Sequence, residues 1–228
     1  MARRQEIVVE ENVRIPEDAF TYEGFLRWMH SDDFPENGRI DYVEGKVYVD
    51  MSPEDLQTHG IVKGAIFAAL HFLVTGKLGE AYVDSARVKF PFADFAAEPD
   101  AIVVLWETLE SGKVRYVPTS SKDPNRSSEM EGAPDLVVEV LSNSSEPKDT
   151  KLLPVVYARA GIPEMWLADT RNDKVRFQIY TLQDGKYIPV KADGNGWMRS
   201  PRLGLSFRLM RYQTPVSSWY YVLEHREA

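Results

Sequence analysis

The sequence predicts an α/β domain with a mixed central β-sheet flanked by α-helices. Three observations carry this. Residues 101–105 and 136–141 are short apolar runs with almost no polar face, the pattern of strands buried on both sides. A helix with a long apolar stripe precedes them, and a second helix follows the later run. The order helix, hairpin, helix, strands, helix, strands interleaves the two element types as α/β folds do.

The elements follow in order. Residues 1–16 read as an extended arm or edge strand around Ile7-Val8-Val9. A helix is expected from about Thr21, because Phe25, Trp28 and Met29 fall at i, i+3 and i+4 with Glu23 in the first turn. Residues 31–38 form a loop. A hairpin pairs 40–43 with 46–49 across a Glu44-Gly45 turn. Met51-Ser52-Pro53 breaks it, and a helix over about 54–75 carries Ile61/Val62, Ala65/Ile66, Ala69/Leu70 and Leu73, with Gly76 as C-cap. Strands follow near 81–83 and 87–90, then the buried strand entered through Pro99-Asp100. Residues 110–132, rich in Ser, Lys, Pro and Gly, read as a long surface loop. After the second buried strand, a helix over 147–160 ends at Gly161, and Pro154 should kink it or delay its start. Strands near 164–168, 174–181, 187–191 and 203–207 complete a single expected domain, 1–228.

Composition removes several chemistries. The 228 residues contain no cysteine, so disulfides, thiolate zinc sites, iron–sulfur clusters and a cysteine nucleophile are excluded. No HxH or HExxH spacing, Walker loop, G-x-G-x-x-G or G-x-S-x-G occurs. No apolar run reaches the roughly 18 residues of a membrane span, and the first residues do not resemble a signal peptide. A protein of a reducing cytoplasm is expected. The formal charge of −8 argues weakly against nucleic acid. All of that excess lies in residues 1–55, however, and the remainder is balanced. Arg199, Arg202, Arg208 and Arg211 lie in a stretch without acids between Asp193 and Glu224. They read either as a solvated strand edge or as a nucleic-acid contact. Trp197, Trp219, Tyr220 and Tyr221 beside them either stack on bases or pack a core or dimer face.

Glu139 is the strongest chemical signal. A carboxylate inside the apolar run 136–141 costs several kcal/mol unless it is paired, metal-bound or protonated. It is a structural ion pair, a metal ligand or a catalytic acid. Asp100, opening the other apolar strand, is its natural companion, and two carboxylates on adjacent strands suit a hard divalent cation. Pro134-Asp135 repeats the dipeptide, where the acid reads as a strand-entry cap. His59, near a helix start, reads as a surface histidine or as a residue facing a site.

The string Gly132-Ala133-Pro134-Asp135-Leu136-Val137-Val138-Glu139-Val140-Leu141-Ser142 resembles a hallmark of the bacterial Uma-two-type restriction endonuclease family. So do Tyr157-Ala158-Arg159-Ala160-Gly161-Ile162-Pro163-Glu164-Met165-Trp166-Leu167-Ala168-Asp169 and Asp41-Tyr42-Val43-Glu44-Gly45-Lys46-Val47-Tyr48. The blocks cover roughly residues 20–182, leaving C-terminal strands over 183–228. The resemblance implies a restriction endonuclease-like, or PD-(D/E)XK, core and Mg²⁺- or Mn²⁺-dependent hydrolysis of DNA phosphodiester bonds. It implies Asp100 and Glu139 as metal ligands and catalytic groups, with the Val140 carbonyl as a third ligand. The superfamily's lysine position, two after the acid, is Leu141 here. The basic residue is then displaced to the following helix, with Lys151 preferred and Lys148 second. Asp41 and Glu44 match acidic positions of the first hairpin and are auxiliary candidates with His59. A homodimer acting on two strands is expected. The alternative is a non-catalytic nucleic-acid- or protein-binding module that keeps the fold.

Overall fold

The helix expected from about Thr21 begins where its cap puts it, whereas those expected over 54–75 and 147–160 start as α-helices only at Ile61 and Leu153, each behind a π-helical turn. The computed structural model describes residues 14–35, 38–84, 86–120, 123–143, 146–172 and 174–227. The arm expected around Ile7-Val8-Val9 lies outside the described residues. Helix α1 (Tyr22–Met29) is capped by Thr21, whose hydroxyl accepts from the Gly24 amide. Strands β1 (Arg39–Val43) and β2 (Lys46–Asp50) form the expected hairpin, and Glu44 and Gly45 both take positive φ, as a tight primed turn requires. A π-helical turn (Leu56–Gly60) leads into α2 (Ile61–Val74). Strands β3 (Gly79–Val83), β4 (Arg87–Phe90), β5 (Phe95–Ala97) and β6 (Ala101–Leu105) precede the short α3 (Trp106–Glu110).

The long loop expected over 110–132 is instead a hairpin, β7 (Val114–Ser120) with β8 (Asp123–Gly132). The polar composition misled because the support comes from elsewhere. β8 pairs in parallel with β4, and Val114 and Met130 are buried against that sheet. Strand β9 (Leu136–Val140) follows. A second π-helical turn (Lys148–Leu152) then opens α4 (Leu153–Ala160), with Pro154 in its first turn and Gly161 as a left-handed cap. Proline thus delays the α-helix, as its missing N–H demands. Strands β10 (Glu164–Asp169), β11 (Arg176–Gln183), β12 (Lys186–Pro189), β13 (Met198–Arg199), β14 (Leu205–Gln213) and β15 (Trp219–Glu227) end the chain.

The strands form three sheets, ordered β12-β11-β10-β9-β6-β3, β2-β1-β5-β4-β8-β7 and β13-β14-β15. The first is the mixed central sheet. β9 and β10 run parallel, joined by the α4 crossover, while β3, β6 and β11 pair antiparallel with their neighbours. Period-two alternation divides its side chains between two cores. Ala101, Val103, Leu136, Val138 and Val140 pack against α2 and the three-stranded sheet. Ile102, Val104 and Val137 pack against α4 and the second sheet. Tyr221 and Leu223 of β15 bury against the first of these cores, whereas Trp219 and Tyr220 stay partly exposed. Among the described residues, no helix is long and apolar enough to cross a membrane.

Candidate active site

Glu139 shares the face of Val137 by alternation, and Asp100 that of Ile102. The antiparallel register Ala101↔Val138, continued one step, sets Asp100 opposite Glu139. Both carboxylates are buried at the junction between the two six-stranded sheets. Asp100 is fully engaged. Its Oδ1 accepts from the Arg39 guanidinium, and its Oδ2 accepts from the Val140 amide at 2.7 Å and lies 3.4 Å from His59 Nε2. Burial would raise the Asp100 pKa. Arg39, His59 and the Val140 amide override it and hold the carboxyl well below the usual carboxylate range.

Glu139 has the opposite character. The Tyr157 hydroxyl of α4 donates to Oε1, while Oε2 is buried with no hydrogen-bond partner among the described residues. Burial, followed by the charges of Asp149 and Asp100, pushes its pKa well up, against the pull of Arg39 and Lys148. Two adjacent carboxyl groups are thus driven apart, one to the ionised and one to the protonated form.

The surroundings come from β1 and the two π-helical turns. Asp41 is buried on β1, accepts from the Glu98 amide at 3.0 Å and is paired by Lys148. Lys148 Nζ lies 3.9 Å from the buried Asp149. Burial would lower the Lys148 pKa, but Asp41, Asp149 and Glu139 raise it. His59 is buried rather than on the surface, and its Nδ1 meets Glu54, which also pairs with Lys63; Lys63 in turn pairs with Asp84. Arg39, Asp41 and Lys148 line a cleft of about 500 Å³ together with Tyr48, Met51 and Ser52.

Some predicted residues fall elsewhere. Lys151 is exposed, in none of these ion pairs. In an α-helix it would share a face with Lys148, three residues earlier. The wider π-helical turn rotates it away. Glu44 stays at the hairpin turn, paired with Arg159 of α4. Val140 meets Asp100 through its amide, not its carbonyl. Arg202 pairs with Asp135, which also accepts from the Leu105 amide and the Thr108 hydroxyl. That knot sits four residues, about 13 Å, from Glu139 along β9. Arg208 pairs with Glu224 and stacks on Trp197, Arg211 covers Trp219, and Arg199 is exposed on β13. Sequence reasoning missed Arg39, Asp149 and Tyr157. Arg39 had a usable signal, since it lies two residues before Asp41 and so on the same strand face.

Four carboxyl groups (Asp41, Asp100, Glu139 and Asp149) therefore face two permanent cations, Arg39 and Lys148. Among the described residues, no group of three or more His, Asp or Glu side chains is arranged to hold a metal ion by itself. The donor set fits a hydrated magnesium-type ion on two carboxylates, not an all-protein cage. The partnerless Glu139 Oε2 is the atom such an ion would satisfy.

The profile of the Uma2 family, described as "Putative restriction endonuclease", matches residues 22–211. The chain is also similar to a crystal structure from Anabaena variabilis ATCC 29413, described as "a putative nuclease belonging to DUF820". The TM-score is 0.59 at 19% identity, covering 80% of this chain and 90% of that one. At that identity the likeness shows the fold alone, a mixed α/β architecture as expected from the sequence. No curated protein matches the chain.

Proposed function

This chain belongs to the Uma2 family, and on that premise we propose that it is a divalent-metal-dependent endonuclease hydrolysing DNA phosphodiester bonds. The observation that carries the proposal is Glu139, a buried carboxyl group with one unsatisfied oxygen set opposite the ionised Asp100. Asp100 and Glu139 would hold Mg²⁺ or Mn²⁺, with the Val140 carbonyl and water completing the ligands. The ion would supply charge stabilisation at the phosphoryl oxygens and a more acidic bound water.

The chain's own groups do the rest. Lys148, in the cleft wall, takes the role first given to Lys151 and steadies negative charge on the scissile phosphate. Asp41 fixes the Lys148 ammonium and keeps it protonated. His59, held by Glu54, orients Asp100. Tyr157 fixes the Glu139 carboxyl group. Cutting both strands of a duplex takes two such sites, so a homodimer in a reducing cytoplasm is the inferred working form.

Plasmid cleavage in Mg²⁺ and Mn²⁺ tests the reading. Asp100→Asn, Glu139→Gln and Lys148→Met should each lose at least about a hundredfold in rate. Equal cleavage by all four proteins would expose a contaminating nuclease and sink the proposal. One observation favours the alternative, a non-catalytic binding module: Arg39 already neutralises Asp100. That reading predicts no calorimetric heat with Mn²⁺.

A further inference from the structure

We propose that Arg39 is a built-in counter-cation, which a divalent ion displaces from Asp100, and that the freed guanidinium then binds a substrate phosphate in the cleft. The inference rests on the metal-site reading above.

A carboxylate as buried as Asp100 stays ionised only beside positive charge or strong donors. Arg39 supplies that charge on Oδ1, while the Val140 amide and His59 take Oδ2. Oδ1 is therefore the oxygen whose partner can exchange. A divalent ion on Oδ1 weakens the guanidinium pairing there, because the two positive charges repel at contact distance. The Val140 amide cannot leave without breaking the strand, whereas Arg39 can. Its side chain is 21% exposed and lines the cleft from the first residue of β1.

Where the guanidinium goes is set by the same wall. Both cations lining the cleft, Arg39 and Lys148, are engaged with carboxylates. Loading an ion onto Asp100 and Glu139 releases Arg39 into a cleft beside Lys148. Its planar fork matches two phosphate oxygens there better than an ammonium does. The ion and the substrate would then bind cooperatively, each removing a cost the other faces.

Two measurements test the exchange. The first is Mn²⁺ calorimetry on the full chain and on Arg39→Met, paired with anisotropy of a short fluorescein-labelled duplex in Ca²⁺. Loss of the competing cation should tighten Mn²⁺ about tenfold, while loss of the phosphate contact should weaken duplex binding about tenfold. The second needs no variant. On adding Mg²⁺ to the wild type, the Arg39 side-chain Nε–H resonance should move and gain solvent exchange. Wild type that binds Mn²⁺ with Arg39→Met no tighter, or an Arg39 resonance unmoved by saturating Mg²⁺, overturns the exchange alone. Absence of Mn²⁺ binding by the wild type overturns the metal site and the exchange with it.

Discussion

Replacing Glu139 with glutamine should stabilise the metal-free protein at neutral and alkaline pH while removing its metal binding. The carboxyl group is buried, with one oxygen bonded by Tyr157 and the other unsatisfied, and Asp149 and Asp100 face it. Its native pKa is raised, so between the unfolded value of roughly 4.3 and the native value the folded state binds more protons. The stability that the protonated group contributes is then complete below the unfolded pKa and is lost as pH rises through the native one. Glutamine is the same size and stays neutral throughout. It keeps the acceptor for Tyr157 and presents a donor to the neighbouring carboxylates. The cost removed is that of taking up a proton, or burying a charge, at this poorly satisfied carboxyl group above its unfolded pKa, about 1–3 kcal/mol. In a domain of this size each kcal/mol moves Tm by about 2–4 °C. Urea unfolding of both proteins across a pH series reads it directly. The variant should be more stable by about 1–3 kcal/mol at high pH, with the gap closing towards pH ~4. A variant less stable than wild type at high pH, or a gap independent of pH, would refute the assignment of Glu139 as a strained, proton-holding carboxyl group.

Three further outcomes are expected. Tyr157→Phe leaves both Glu139 oxygens without a donor and should cost about 1–3 kcal/mol in urea unfolding, and unchanged stability would count against that hydrogen bond. Lys151→Ala should cleave plasmid at the wild-type rate while Lys148→Met does not; the reverse ranking would restore the residue preferred on sequence. Arg202→Ala should lower stability by about 1–3 kcal/mol through Asp135, yet leave the affinity for a labelled duplex unchanged. A lost affinity with intact stability would return that arginine to the nucleic-acid surface.

Much of the molecule was legible because its signals are local. The apolar runs around Ile102 and Val137, the Glu44-Gly45 turn, the Thr21 cap and the Gly161 stop all act within a few residues. What failed shares one cause. The β7–β8 hairpin owes its strand state to β4, more than 30 residues earlier, which composition does not encode. Strand β15 was not placed among the elements read from the sequence, where its aromatics stood only as base-stacking or packing residues; its docking on α2 buries Tyr221 and Leu223.

For the site, Glu139 stood out in the sequence because a charge in a two-sided apolar strand violates the patterning around it, and Asp100, just before the other apolar strand, was its companion by position and by the family resemblance. That violation is a one-dimensional fact and survives without coordinates. Which cation answers each carboxylate is not of that kind. Arg39 arrives on Asp100 from a hairpin 61 residues away, and Lys148 rather than Lys151 reaches Asp41 because a π-helical turn, not an α-helical one, precedes Pro154. Sequence alone determined that an acid lies inside one buried apolar strand and another opens a second, since burial follows from local patterning; the pairing that sets them opposite one another is tertiary. The tertiary structure decided their protonation and their partners, because electrostatic energy depends on distance through space and not along the chain.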